Sequence, residues 1–134
     1  MSLKDNKDLV LKFFDAIAEG DTKRMDSMLT DDATWWVAPS TIFSGVLTKK
    51  RWLEIIPTLF AQADGKFKFR FDDLTAEEDR VSVTAKGHLQ LKDGRVYSSD
   101  YHWLVRVRNG NIAGGKEYMD SAHLNEIFGA PVKA

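Results

Sequence analysis

The feature that most constrains this chain is a stretch from Arg95 to Asp120 that alternates in polarity and folds back on itself at Asn109-Gly110. Asparagine followed by glycine is a strong signal for a β-hairpin, because both residues tolerate the positive φ angles of a tight turn. Before this turn the odd-numbered positions are mainly apolar or aromatic, and polar residues alternate with them. Those positions are Tyr97, Ser99, Tyr101, Trp103, Val105 and Val107. The alternation predicts a long strand with one buried face.

Two other segments repeat this alternation, and their apolar residues also fall at odd-numbered positions. One segment spans residues 81–91, and the other begins with the three phenylalanines of residues 67–71. The three apolar faces are expected to lie on the same side of one antiparallel sheet. This requirement favours a three-residue turn at Asp93-Gly94, because a two-residue turn would mismatch the two apolar faces. The predicted opposed pairs are Leu89 with Tyr97, Gly87 with Ser99, Ala85 with Tyr101, Val83 with Trp103 and Lys86 with Asp100.

The turn at Asn109-Gly110 has two possible forms, and the choice decides where Glu117 points. A two-residue turn would pair Glu117 with His102 and leave the carboxylate on the polar face. A three-residue turn with Gly110 as the bulge would place Glu117 on the apolar side, and we favour it because it matches the neighbouring turn. In this second form the opposed pairs are Trp103 with Gly115, Tyr101 with Glu117 and Ser99 with Met119.

Length and composition exclude several classes of protein. The 134 residues are expected to form one domain over 1–134. Nineteen basic and twenty acidic side chains give a net charge of -1, which argues against nucleic acid or an anionic membrane as the main partner. No cysteine is present, so neither a disulfide nor a thiolate site is available. No signal peptide or membrane-spanning run is apparent, and a cytoplasmic location is expected.

Helices are predicted in the sequence before and after the segments that form the sheet. A first helix with a capping box at Ser2 is expected to end at Gly20, and a second helix is capped by Asp21. A strand over Ala33–Val37 and a loop over Pro39–Gly45 then lead to a helix capped by Thr48. After the strands described above, Asp120 or Ser121 is expected to open a last helix over Ala122–Phe128. This order predicts an α+β domain in which helices cover one face of a curved antiparallel sheet.

The chain resembles the nuclear transport factor 2-like superfamily, in particular its SnoaL-like polyketide cyclase and ketosteroid isomerase-like branches. The similarity covers essentially the whole chain and rests on the motifs F-F-D-A-I-A-E-G-D, D-D-A-T-W-W-V-A-P followed by F-S-G, D-G-R-V-Y-S-S-D-Y and N-G-N-I-A-G-G-K-E-Y-M-D. The resemblance implies a cone-shaped (cystatin-like) fold, in which N-terminal helices pack on a curved antiparallel sheet and enclose a pocket. It also implies a homodimer, since the outer face of the sheet often meets its symmetry mate in this family.

The catalytic residues known in the superfamily are mostly absent from the matching positions. Steroid isomerases of this fold have a carboxylate base near the position of Val37 and a tyrosine donor near Phe13, and neither side chain here can transfer a proton. Epoxide hydrolases of the fold use an aspartate that matches Glu117. Their arginine and second aspartate would fall near Ala85 and Gly87, and their asparagine at Val37. The resemblance therefore identifies a fold but not a reaction.

The apolar side of the predicted sheet carries the candidate site. Glu117 is expected to act as a general acid or base, with Tyr101 and Trp35 as hydrogen-bond donors. The residues expected to contact a substrate are Trp35, Val37, Ser99, Trp103 and Met119. A carboxyl group among aromatic rings should have a raised pKa, because desolvation disfavours its charged form. In the alternative interpretation Glu117 is a structural acceptor for the Tyr101 hydroxyl or a tryptophan N–H, or it lies in water at the mouth of the cone.

The three histidines do not have the spacing of a metal site. His88 and His102 are predicted on the polar face of neighbouring strands, and His123 on the last helix. Neither a metal nor another cofactor is expected.

Two classes of function follow from these residues. One is a cofactor-free isomerase, cyclase, dehydratase or hydrolase that acts on a small hydrophobic substrate. The other is a non-catalytic ligand-binding or dimerisation module. A deep cavity that contains Glu117 would favour the first class. A homodimer is expected to form through the outer face of the sheet, which carries Ser82, Thr84, Lys86, His102, Leu104 and Arg106.

Overall fold

The computed structural model describes residues 2–132, so Met1, Lys133 and Ala134 of the predicted domain lie outside the described residues. In chain order the elements are α1 (Leu3–Ala18), α2 (Thr22–Met28), β1 (Leu29–Val37), β2 (Gly45–Thr48), α3 (Lys49–Gln62), β3 (Lys68–Glu77), β4 (Arg80–Gln90), β5 (Val96–Arg108), β6 (Asn111–Met119) and α4 (Ser121–Phe128). The predicted α+β class is confirmed.

All four helices within residues 2–132 begin at a side chain that satisfies otherwise unpaired backbone N–H groups. The Ser2 hydroxyl accepts a hydrogen bond from the Asp5 N–H at 3.0 Å, and the Asp5 carboxylate accepts one from the Ser2 N–H at 3.2 Å. Asp21, Thr48 and Asp120 cap the other three helices in the same way, each through its side-chain oxygen. The predicted helix starts are therefore confirmed.

The six strands in the described part of the chain form one sheet in the order β2-β1-β6-β5-β4-β3. Neighbouring strands are antiparallel except β1 and β6, which run parallel. Strand β2 was not predicted, because four residues at Gly45–Thr48 are too few to show a period. Strand β1 is longer than the predicted Ala33–Val37 and begins at Leu29.

The register of β4 against β5 follows the prediction. Leu89 lies opposite Tyr97 and Lys86 lies opposite Asp100, as expected from the three-residue turn. Gly94 in this turn has a φ of 94°, a conformation that favours glycine.

The predicted register of β5 against β6 is wrong. The turn has two residues, Asn109 and Gly110, because Arg108 pairs with Asn111. An extra residue then enters β6 at Ala113 and forms a β-bulge. The observed pairs are Trp103 with Glu117, Tyr101 with Met119 and Val105 with Gly115. The bulge shifts the strand by one residue, so Glu117 lies on the apolar side as expected, although its register partner is different.

Gly115 lies against a tryptophan, but not the one that was predicted. It pairs with Trp35 of the parallel strand β1, whereas Trp103 lies opposite Glu117. A Cβ atom on Gly115 would be 2.5 Å from Cζ3 of Trp35. The absent side chain therefore makes room for an indole ring that crosses from the neighbouring strand.

The core lies between the concave face of the sheet and the helices. Trp35, Trp103, Phe13 and Phe14 are among its largest fully buried side chains. A second cluster, around Leu89 and five other buried residues, joins β4 and β5 to α4. Within residues 2–132, no helix combines the length and the hydropathy that crossing a membrane requires.

Candidate functional site

A cavity of about 80 Å³ lies between the concave face of the sheet and helices α1, α3 and α4. Since one water needs roughly 10–15 Å³ by this measure, the cavity has room for a few waters or a compact ligand. Its walls are almost entirely apolar, and the ionisable lining residues in the described part of the chain are Glu117, Tyr97 and Tyr101. Partly exposed aromatic residues mark the outer end of the cavity, among them Phe43, Phe60 and Phe128.

Glu117 is held by two tryptophans through a single carboxyl oxygen. Its Oε1 accepts a hydrogen bond from Nε1 of Trp103 at 3.1 Å and another from Nε1 of Trp35 at 3.3 Å. Oε2 has no hydrogen-bond partner among residues 2–132, and it is not enclosed by protein atoms. Because Glu117 lines the cavity, this second oxygen is the one available to a bound molecule.

Both indole rings are fixed by aromatic stacking. Trp35 stacks on Trp52 with ring centroids 4.1 Å apart and an interplanar angle of 13°. Trp103 stacks on Tyr101 at 4.6 Å and packs against Phe14 at 4.1 Å. Since neither ring can turn freely, the position of the Glu117 carboxyl group is fixed as well.

Burial raises the pKa of Glu117 above its ordinary value, and the hydrogen bonds from Trp103 and Trp35 partly oppose this rise. The side chain is half-buried by surface area because the cavity reaches it. Its surroundings are nevertheless apolar, so the charged form is poorly solvated. The predicted direction of the shift is confirmed.

The two cavity tyrosines form a hydrogen-bonded pair. The Tyr101 hydroxyl donates to the Tyr97 hydroxyl at 3.0 Å. Burial raises the pKa of Tyr97 to about 12 and holds the pKa of Tyr101 well above its usual range, so both stay protonated near neutral pH. Glu117 adds to both shifts through its charge. Within residues 2–132, no hydrogen bond joins either tyrosine to Glu117. The sequence suggested the Tyr101 hydroxyl or a tryptophan N–H as a structural donor to this carboxylate, and the structure shows the tryptophan N–H.

The residues proposed from the sequence fall into three groups. Glu117, Tyr101, Val37 and Trp103 line the cavity. Trp35 is outside the lining but donates to Glu117. Ser99 and Met119 are on the apolar side of the sheet but are not among the residues that line the cavity.

Ser99 is not available to a ligand because its hydroxyl already makes two hydrogen bonds within the fold. It donates to the Asp100 carbonyl oxygen at 3.0 Å and accepts from the Asp120 N–H at 3.1 Å, and the residue is only 2% exposed. Met119 lies opposite Tyr101 and packs with both core clusters.

The sequence analysis did not identify Tyr97 as a site residue. It also did not identify the residues of α3 and α4 that line the cavity. The alternation placed Tyr97 on the apolar face, four residues before Tyr101, and this spacing was the available signal. The helical walls include Trp52 and Leu124, and helical periodicity alone does not show which core residues border a cavity.

Two of the described histidines, His102 and His123, make structural contacts. The ring of His102 is hydrogen-bonded to the Ser82 hydroxyl at 2.6 Å, and Nε2 of His123 accepts from the Ser98 N–H at 3.0 Å. In residues 2–132, no three His, Asp or Glu side chains converge as metal ligands would.

A family model described as a SnoaL-like domain matches residues 10–114 of this chain. A comparison with curated proteins gave no match.

Several solved structures share the fold. PrhC from Penicillium brasilianum superposes with a TM-score of 0.84 at 14% identity, over 93% of this chain and 86% of its own. An NTF2-like protein from Anabaena variabilis has a TM-score of 0.76 at 23% identity, over 90% of this chain and 94% of its own. TerC, crystallised with polyporic acid, has a TM-score of 0.77 at 16% identity, over 92% and 97%. These similarities confirm the predicted cone-shaped fold.

Proposed function

This chain belongs to the SnoaL-like domain family, and on that premise we propose that it is an enzyme acting without a cofactor on a small hydrophobic substrate. In this proposal Glu117 is the general acid or base. The reaction is of the isomerase, cyclase, dehydratase or hydrolase kind, in which a positioned proton transfer accounts for much of the rate.

The proposal rests on a difference between the two carboxyl oxygens of Glu117: both tryptophan N–H groups donate to Oε1, and neither donates to Oε2. An indole N–H can only donate, so Oε1 must act as an acceptor for both Trp35 and Trp103. A proton on the carboxyl group therefore belongs on Oε2, the oxygen of this cavity-lining side chain that neither tryptophan holds. The protein thus directs proton transfer toward the space where a substrate would lie.

The apolar cavity supports the same conclusion from its electrostatics. Desolvation raises the pKa of Glu117 from its ordinary value toward the neutral range, which is the direction that improves a carboxyl group as an acid or base at pH 7. The raised pKa does not by itself decide between acid and base. That TerC was crystallised with polyporic acid supports a small organic molecule as the occupant of this fold.

The test begins with a panel of small uncharged compounds screened by thermal shift, because a ligand that binds the folded state raises its stability. Compounds that bind are then assayed for turnover with the parent, with Glu117→Gln and with Glu77→Gln. Glu77 is exposed on β3, so its variant controls for the loss of one carboxylate.

We expect Glu117→Gln to keep its affinity for the compound and to lose roughly 10²–10⁴-fold in turnover, the usual effect of removing a general acid or base. Glu77→Gln should behave as the parent. Equal turnover by the parent and Glu117→Gln would reject the catalytic role of Glu117. Binding without turnover by the parent would favour the second class, a non-catalytic ligand-binding module.

We also propose that the chain forms a homodimer through the outer face of the sheet. Apolar and aromatic side chains lie there beside the polar residues named from the sequence: Tyr118 is 45% exposed and Val46 is 66% exposed. Trp36 pairs with Val46 and packs against Tyr118 with ring centroids 5.2 Å apart. Such a mixed surface suits a self-complementary contact between two copies.

Light scattering over a concentration series tests the homodimer. The parent should give twice the monomer mass, Tyr118→Lys should shift the equilibrium toward monomer, and Leu3→Lys on α1 should have no effect. A monomer mass for the parent at every concentration would refute it.

A further inference from the structure

We infer that Tyr97, supported by Tyr101, is the group that binds the substrate, and that the cavity selects compact, uncharged molecules with a carbonyl-type oxygen. This inference deepens the proposed function, because it names the substrate class of the same cavity. The sequence predicted Tyr101 as a catalytic hydrogen-bond donor beside Glu117, and this inference gives the role of donor to the substrate to Tyr97 instead.

The Tyr97–Tyr101 pair has two phenolic protons, and only one of them lies in the hydrogen bond between the two hydroxyls. A phenol has one proton to donate, and Tyr101 gives its proton to the Tyr97 oxygen at 3.0 Å. No hydrogen bond donated by the Tyr97 hydroxyl is found among residues 2–132. The nearby Ser99 hydroxyl acts on Tyr97 only by lowering its pKa, and it already donates to the Asp100 carbonyl oxygen and accepts from the Asp120 N–H. Tyr97 is only 3% exposed and lines the cavity. A buried donor without a partner is unfavourable, so an acceptor atom on a bound molecule is its natural complement.

The ring of Tyr97 is held in place on several sides. His123 stacks on it with ring centroids 5.5 Å apart and an interplanar angle of 5°. Phe67 and Phe128 meet it edge to face at 6.1 Å and 5.2 Å. The hydroxyl group is therefore fixed before a ligand arrives, which reduces the entropy lost on binding.

Tyr101 strengthens this donor without touching the ligand. A hydrogen bond received by the Tyr97 oxygen stabilises the negative charge that grows there as its own proton is shared. Burial meanwhile keeps both hydroxyls protonated near neutral pH. Tyr97 is thus the binding residue, and Tyr101 is a positioning residue.

The lining residues determine the charge of the ligand. Within the described chain, no lysine, arginine or histidine lines the cavity, and Glu117 is its acidic residue. An anionic ligand would meet the carboxylate without a compensating cation, and desolvating its charge would be costly. An uncharged oxygen acceptor avoids both penalties, and the small volume limits the molecule to a compact one.

Cyclohexanone and methylenecyclohexane provide a matched pair of probes, since the second replaces the carbonyl oxygen with a CH₂ group of similar shape. Their affinities would be measured by quenching of tryptophan fluorescence in the parent, Tyr97→Phe, Tyr101→Phe and Glu117→Gln. The infrared carbonyl stretch of bound cyclohexanone would be recorded for each protein.

We expect the parent to bind cyclohexanone more tightly than methylenecyclohexane by roughly three- to tenfold, the value of one net hydrogen bond. Tyr97→Phe should abolish this preference and return the carbonyl stretch to its frequency in hydrocarbon. Tyr101→Phe should retain part of both effects, because the donor remains but is weakened. The hydrocarbon should bind all four proteins with similar affinity.

Three results would overturn the inference: no preference for the ketone in the parent, no binding of either probe, or an unshifted carbonyl stretch in the parent. The carbonyl stretch is measured in the parent protein alone, so the inference can be rejected even if Tyr97→Phe does not fold. Glu117→Gln separates this inference from the proposed catalysis. A variant that keeps the ketone preference supports recognition by Tyr97 whether or not the parent turns over a substrate.

Discussion

Gly115→Ala should destabilise the protein by pressing a methyl group into Trp35. The new Cβ would lie 2.5 Å from Cζ3 and 3.0 Å from both Cε3 and Cη2 of that indole. The ring has little freedom to retreat, because it stacks on Trp52 at 4.1 Å and donates to Glu117 at 3.3 Å. One of these contacts, or the backbone of β6, must therefore shift.

The magnitude is the difference between two opposing effects. Overpacking a close-packed core costs about 1–3 kcal/mol, and the fixed ring favours the upper end of that range. Replacing glycine by alanine also restricts the unfolded chain, which stabilises the folded protein by about 0.4–1 kcal/mol. The expected net loss in the free energy of unfolding is about 2 kcal/mol. For a chain of this size it corresponds to a fall in Tm of roughly 6–8 °C.

Urea denaturation followed by circular dichroism would measure this loss, and a double-mutant cycle with Trp35→Phe would assign it. All three atoms in the clash belong to the six-membered ring of the indole, much of which phenylalanine does not occupy. The cost of Gly115→Ala should therefore fall below about 0.5 kcal/mol in the Trp35→Phe background. A cost that is unchanged in that background, or a Gly115→Ala variant as stable as the parent, would refute the reasoning.

Three further predictions concern charge and capping. The raised pKa of Glu117 means that its contribution to stability is greatest below the unfolded pKa, about 4.3, and is lost as pH rises through the folded pKa. Glu117→Gln should thus gain stability relative to the parent between pH 4 and 8 in urea titrations, and a constant difference would contradict this. The raised pKa values of Tyr97 and Tyr101 should make the parent lose stability as pH rises from about 10 toward 12, and Tyr97→Phe should lose less over that interval. Ser2→Ala should lower the free energy of unfolding by about 0.5–2 kcal/mol, because the Asp5 N–H loses its acceptor, and an unchanged urea midpoint would argue against the cap.

Local signals in the sequence were sufficient for much of the fold. The helix caps at Asp21 and Thr48 act within three residues, so they can be seen without knowledge of the tertiary structure. The register of β4 against β5 followed from matching two apolar faces across a short turn. Matching faces fixes only whether a shift is odd or even, however. The bulge at Ala113 was therefore missed although the side on which Glu117 lies was correct.

The candidate site was predictable in composition but not in detail. Alternation placed Glu117 among aromatic residues, yet the donors that hold it come partly from β1, whose parallel pairing with β6 has no local signal. The role of Ser99 depended on Asp120, which follows the last strand. The direction of the hydrogen bond from Tyr101 to Tyr97 depends on the angle between two hydroxyl groups, and no spacing in the sequence encodes it.

The parallel pairing of β1 with β6 has a consequence for how the protein matures during synthesis. Trp35 and Glu117 are separated by 82 positions, so the tryptophan leaves the ribosome long before its carboxylate partner. Until then β1 can pair with β2 alone, and one edge of it remains open to other nascent chains. The site is thus completed only when the final strand enters the sheet, and a chain that stops short of β6 would carry an unprotected strand and lack Glu117.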